Sequence, residues 1–212
     1  VINLLEESEF RVPLVDKVGT RIGTMPLQHM AYEEQLRFKK KLVMDVFSKL
    51  MDISDVDVYD TVGMENPWGY RNKAQVPVQK IHGQLESGFY KQGSHDLVPV
   101  TNFHIQDPQI DEAVVIIRDL LRKYDIPAYN EKKHNGIIRN ITVKRGYVSG
   151  EVMVVLVVTQ EDFKNKHQLL DSIWDSVEGI VSLVLNINDK KTNVIMGRQN
   201  ITVKGDDTYS DE

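Results

Sequence analysis

Two pairs of strand-forming runs, each closed by a short glycine-bearing turn, restrict this chain to folds that contain antiparallel sheet. In the first pair, Ala74, Val76 and Val78 alternate with Lys73, Gln75 and Gln79, the period of two that marks a half-buried strand. His82-Gly83 turns the chain, and Leu85 to Tyr90 return as the partner. In the second pair, Ile137 to Arg145 and Glu151 to Thr159 are joined by Gly146-Tyr147-Val148-Ser149-Gly150. Between the pairs, residues 108–124 change to a helical pattern. Pro108 falls near the first turn, acidic residues follow early, and Arg122 and Lys123 come late, as the helix dipole favours. A further helix is expected near 166–177. Another is expected from about His29 to Met51, where Leu36, Leu42, Val43, Val46, Phe47 and Leu50 fall near one face and Lys39, Lys40 and Lys41 on the rest. Short strands are expected at 52–60, 180–187, 193–197 and 200–204. Helices and antiparallel strands mixed without strict βαβ alternation make the expected class α+β, antiparallel sheets with packed helices.

The remaining segments read as connections. Residues 1–28, punctuated by Pro13, Gly19, Gly23 and Pro26, look like a linker or irregular loop, and the closing GDDTYSDE like a solvated linker. The chain opens on Val1, not Met, so a processed or excised piece of something longer is expected. No apolar run approaches the roughly 18 residues that span a bilayer, and no secretory leader pattern is present. No membrane partner is expected, and the expected location is the cytoplasm. The chain has no cysteine, which removes disulfides, thiolate nucleophiles, zinc ribbons and thiolate-held iron–sulfur clusters together. The net charge of −5 argues weakly against nucleic acid. That charge is uneven, however: the ends are acidic and the middle is neutral, which leaves room for a local basic face.

Alternation puts Arg71, Lys73 and Gln75 on one side of a strand, with Trp68 and Tyr70 close by. Guanidinium and amide groups at this spacing suit phosphates and base edges, and the aromatics suit base stacking. The plainer reading is the solvent side of an amphipathic strand. In the second hairpin, Asn140, Thr142 and Lys144 share one side, and Arg139, Ile141 and Val143 the other. An arginine among inward-facing apolar groups must reach a partner or a cleft. Ser94 and His95, being neighbours, point apart and do not form a catalytic pair. The His residues at 29, 82, 95, 104, 134 and 167 show no ligand spacing, so no metal site is expected.

Six stretches, PLQHMAYEEQLRFKK, GMENPWGYRNKAQVPV, GFYKQGSH, HIQDPQID, IIRNITVKRGYVSGEVMVVLV and NINDKKTNVIMG, together resemble the RNA uracil-5-methyltransferases, above all the ribosomal-RNA members of Gram-positive bacteria. They follow the family order and cover nearly the whole chain. The resemblance implies an α+β central region of such an enzyme. Residues 1–28 would lead out of an absent OB-like module, and 29–64 would supply a helix and strand that pack on an absent catalytic domain. Residues 65–205 would form the RNA-binding domain, and 206–212 would lead to a Rossmann-like domain that binds S-adenosylmethionine.

Family chemistry then implies that this chain alone does not catalyse. A cysteine thiolate must add to uracil C6 before C5 can take a methyl group, and there is no cysteine here. The family's iron–sulfur ligands align with Ile22, Met25 and Phe103, so no cluster is expected. The resemblance implies that RNA, foremost 23S ribosomal RNA, is handled by Arg71 first, then Asn72, Lys73, Gln75, Arg139, Asn140 and Lys144. The alternatives are a transfer-RNA member of the family and a non-catalytic RNA-binding or scaffold protein.

Overall fold

A computed structural model describes residues 5–52 and 56–212 and divides the chain into two compact units, Val1–Pro67 and Trp68–Glu212.

In the first unit, the stretch expected to be a linker is folded on itself, within the described residues. Asp16 caps a short helix, α1 (Lys17–Ile22), by accepting from the amides of Val18 and Gly19. The Gln28 side chain closes the loop, taking the Asp16 amide at 2.9 Å and donating to the Asp16 carbonyl at 2.6 Å. Main-chain bonds join Val12 to His29 and Ala31 to Phe10. Helix α2 (Tyr32–Leu50) forms as its pattern predicts, yet none of its residues is buried. Phe38, Leu42, Val43, Val46 and Phe47 all stay exposed. The strand expected at 52–60 does not form over 56–60, while 53–55 lie outside the described residues. Side-chain demand explains this: the segment is tied to α2 by Thr61 Oγ1 donating to the Leu36 carbonyl and by the Lys40–Asp60 ion pair, with no strand beside it among the described residues.

The second unit is one seven-stranded sheet in the order β3-β2-β1-β4-β5-β6-β7. Its strands are β1 (Lys73–Ile81), β2 (Gln84–Tyr90), β3 (Leu97–Pro99), β4 (Ile138–Arg145), β5 (Val152–Val158), β6 (Ile180–Ile187) and β7 (Gln199–Gly205). Both expected hairpins are present. The first turns on His82 and Gly83, both at positive φ, which matches the right-handed twist of the flanking strands. All neighbours are antiparallel except β5 and β6, which run parallel across helix α4 (Lys166–Ser176). Helix α3 (Pro108–Lys123) begins on the Asp107 cap and packs with α4 on one side of the sheet. The core lies there: Val76 and Val78, Ile117 and Leu121, Ile141 and Val143, Val154 and Leu156, Leu183 and Leu185.

Three departures matter for the site. A β-bulge interrupts β4, since Ile138 pairs with Val158 but Asn140 with Val157. Ile138 and Ile141 both reach the core, and Arg139 is the extra residue between two regular registers. It therefore does not share the Ile141 and Val143 side, as alternation had suggested. Second, residues 193–197 form no strand. Their carbonyls are taken by side chains: Asn188 Nδ2 donates to Val194 and Ile195, and Asn186 Nδ2 to Gly197. Third, the tail is docked, with Tyr209 against Met153, Val155 and Val184 on the second side of the sheet. Ser149 Oγ donates to the Ser210 carbonyl, and the Val148 amide donates to Asp211.

Candidate nucleic-acid interface

The side of the sheet away from α3 and α4 carries most of the candidate residues in ladder order. Lys73 stands opposite Lys144, Gln75 opposite Thr142, and Pro77 opposite Asn140. Cross-strand partners sit about 4.5–5.5 Å apart at Cβ, and like charges so placed repel. Lys73 is exposed and Lys144 half-buried, and neither makes an ion pair among the described residues.

Arg71 and Asn72 come just before β1 and are exposed. The Arg71 main chain is fixed on both sides: its amide donates to the Ile105 carbonyl at 2.9 Å, and its carbonyl accepts from the Asp107 amide at 3.0 Å. Asp107 is itself held by Arg145, whose Nη1 donates to its carboxylate at 3.0 Å. The Arg71 side chain thus projects from a rigid base with its guanidinium free of ion pairs among the described residues. Tyr70 is exposed, whereas the Trp68 ring meets His104 edge-on at 6.0 Å.

Arg139 does something different. It is 8% exposed, and its guanidinium lies 4.4 Å from the centre of the Tyr129 ring. Nη1 donates to the carbonyls of Asn188 and Lys190, and Nη2 to that of Thr192. These bonds hold the 188–195 loop against the end of β4. Asn140, 8% exposed, lies beside it.

Between that loop, β1, β2 and the 129–131 segment lies a cleft of about 290 Å³. Gln79, Tyr90, Tyr129, Glu131, Arg139 and Asn140 are among the residues that line it. Gln79 Nε2 reaches the Tyr90 hydroxyl and the His95 carbonyl only at 3.5 and 3.4 Å. Burial, reinforced by the Glu131 charge, pushes the Tyr90 phenol above its ordinary range. Gln79, Tyr90, Tyr129 and Glu131 were not singled out in the sequence. Their meeting depends on a bulge and a loop held by distant side chains, for which no local pattern exists.

The positions that align with the family's cluster ligands hold buried apolar side chains. Ile22 and Met25 are buried in the first unit, and Phe103 is buried in the second, where it packs against Phe89 at 4.8 Å. Among the described residues no group of His, Cys, Asp and Glu is disposed to hold a metal ion, and no helix is long and apolar enough to cross a membrane.

With this geometry in view, the chain compares with known proteins as follows. No family model matches it. It is 44% identical over 211 residues to a protein of Enterococcus faecalis named an uncharacterized RNA methyltransferase, covering 100% of this chain and 46% of that protein. A Streptococcus pyogenes protein of the same description is 48% identical over 191 residues, 90% of this chain and 41% of that one. One from Lactiplantibacillus plantarum is 46% identical over 205 residues, 97% and 45% respectively. The chain therefore spans a little under half the length of the curated relatives it matches. Among solved structures it superposes on the Pyrococcus abyssi tRNA (uracil-54, C5)-methyltransferase in complex with S-adenosyl-L-homocysteine. The TM-score is 0.71 at 19% identity, over 99% of this chain and 45% of that one. That likeness shows the fold: this chain is built like a little under half of that enzyme.

Proposed function

We propose that this chain is the RNA-contacting region of an S-adenosylmethionine-dependent RNA uracil-5-methyltransferase acting in the cytoplasm on 23S ribosomal RNA. Its work is to bind and position the strand that carries the target uridine. The observation that carries the reading is the unpaired Lys73–Lys144 row beside Arg71, a basic strip on an acidic protein. Relatives named as RNA methyltransferases support it. So does the fold shared with a uracil-5-methyltransferase.

In this reading Lys73, Lys144 and Arg71 take backbone phosphates, and Asn72, Gln75 and Asn140 lie beside them for bases or ribose. Methyl transfer itself needs a thiolate that adds to the uracil ring, and the chain has no cysteine. S-adenosylmethionine would supply the methyl group. The cleft does not fit it, because at about 290 Å³ it is small for a nucleoside with an amino-acid arm and its one arginine is already committed to three main-chain oxygens. Thiolate and methyl donor are therefore assigned to the rest of the longer protein. The exposed apolar side of α2 is assigned the role of packing on that rest.

The test is competition binding. A labelled single-stranded fragment of 23S ribosomal RNA should bind the chain, and Arg71→Ala should weaken it several-fold. Equal displacement by transfer RNA would remove the ribosomal assignment, and absence of any RNA binding would remove the whole reading.

A further inference from the structure

The cleft of about 290 Å³ lies on the same side of the sheet as the lysine row but has a different chemistry. Its volume is at the small end of ligand sites, enough for one ring system and too small for an extended chain. The half-buried Tyr90 ring and the neutral amides of Gln79 and Asn140 line it, with Tyr129, 7% exposed and stacked on Arg139, behind them. The charges in it do not favour phosphate: Arg139 is engaged by three carbonyls, and Glu131 repels anions. Two of its hydrogen bonds, those from Gln79, are stretched to 3.5 and 3.4 Å and can be exchanged for bonds to an incoming group. Its back wall, by contrast, is rigid, because the arginine that stacks on Tyr129 also ties down the 188–195 loop.

From Lys73 to Pro77, which lines the cleft, is four residues of strand, about 13 Å. An RNA strand lying along this side would thus place a phosphate on the lysines and a different nucleotide at the cleft. We infer that the cleft is a seat for one unpaired nucleobase, held by stacking and by amide contacts to its edge. Single-stranded RNA is read in this way, by aromatic faces and by hydrogen bonds to splayed-out bases. The inference rests on the RNA reading above. It adds a second, base-dependent contact separate from the phosphate row.

The experiment compares a single-stranded RNA oligomer with an abasic oligomer of equal length and charge, both titrated against the chain over a range of salt. Intact RNA should bind roughly five- to 150-fold more tightly, the range that one stacked base contributes. Tyr90→Ala should abolish most of that difference and leave the salt dependence unchanged. Gln79→Ala, a milder change at the rim, should reduce it in part and serves if Tyr90→Ala fails to fold. Equal binding of the two oligomers, or a preference that survives both substitutions, overturns the base seat while the phosphate row stands. Loss of both oligomers together overturns the RNA reading as well.

Discussion

The guanidinium of Arg139 stacks on the ring of Tyr129 while donating to the carbonyls of Asn188, Lys190 and Thr192. One side chain thereby joins β4, the 129 segment and the loop after β6. Replacing it leaves three main-chain oxygens without their donor. Arg139→Ala is expected to lower stability by roughly 2–4 kcal/mol, from charge-assisted bonds and the cation–π contact together. Arg139→Lys should recover less than half, since an ammonium cannot span the three oxygens as a planar fork does. Urea denaturation measures both, and a loss under about 0.5 kcal/mol for the alanine variant would show that the loop holds itself.

Lys73 and Lys144 should behave in the opposite way. Neutralising both as Lys73→Ala with Lys144→Ala relieves a like-charge pair, so the melting temperature should hold or rise slightly. RNA affinity should fall, and the slope of log K against log salt should shrink by about 1.4, roughly 0.7 per phosphate contact on a single strand. An unchanged slope would mean that these lysines touch no phosphate.

Asp107 links a helix cap to the candidate interface. Its carboxylate accepts from the Gln109 amide at 2.9 Å and from Arg145, and its own amide holds the Arg71 carbonyl. Asp107→Ala is expected to cost about 1–3 kcal/mol through the lost cap and the stranded arginine. It should also weaken RNA binding, but less than Arg71→Ala, because the main-chain bonds that seat Arg71 survive and only the Arg145 tie on Asp107 is lost. RNA affinity that stays at the wild-type value would separate the two roles.

The docked tail predicts a pH effect. Amides of Val148 and its neighbours donate to Asp211 and hold its carboxyl below the usual carboxylate range. A group with a depressed folded value stabilises the docked state above its unfolded value, and that contribution is lost as pH falls through the lowered one. The Val148 amide should therefore be protected, relative to its intrinsic exchange rate, at neutral pH and lose that protection in acid, below the ordinary aspartate range. Asp211→Asn should flatten that dependence; an unaltered profile would point to Tyr209 as the anchor instead.

What the sequence disclosed was what local periodicity encodes. Ala74, Val76 and Val78 announce β1, and Pro108 with the late Arg122 and Lys123 brackets α3, because side-chain alternation and the helix dipole act within a few residues. Hidden were features decided across the fold. The β5–β6 parallel pairing needs α4 as a bridge, and the 193–197 run loses its strand to Asn186 and Asn188. Lys73 and Lys144 were each visible as candidates, but their meeting depended on strand register. Arg139 was legible as an oddity among apolar neighbours, though not as the clamp it is.

The bulge at Arg139 makes that clamp separable from the sheet. Removing this one residue would leave Ile138, Asn140 and Ile141 in unbroken alternation opposite Val158, Val157 and Leu156, so the β4–β5 ladder would close without a step. A deletion, ordinarily the harshest edit to a central strand, would here regularise the β4–β5 pairing while giving up the loop's tether and the stability that tether supplies. The strand's pairing and the loop's anchorage thus fall to different residues of β4, the first to its alternating apolar side chains and the second to the one residue that stands outside their register.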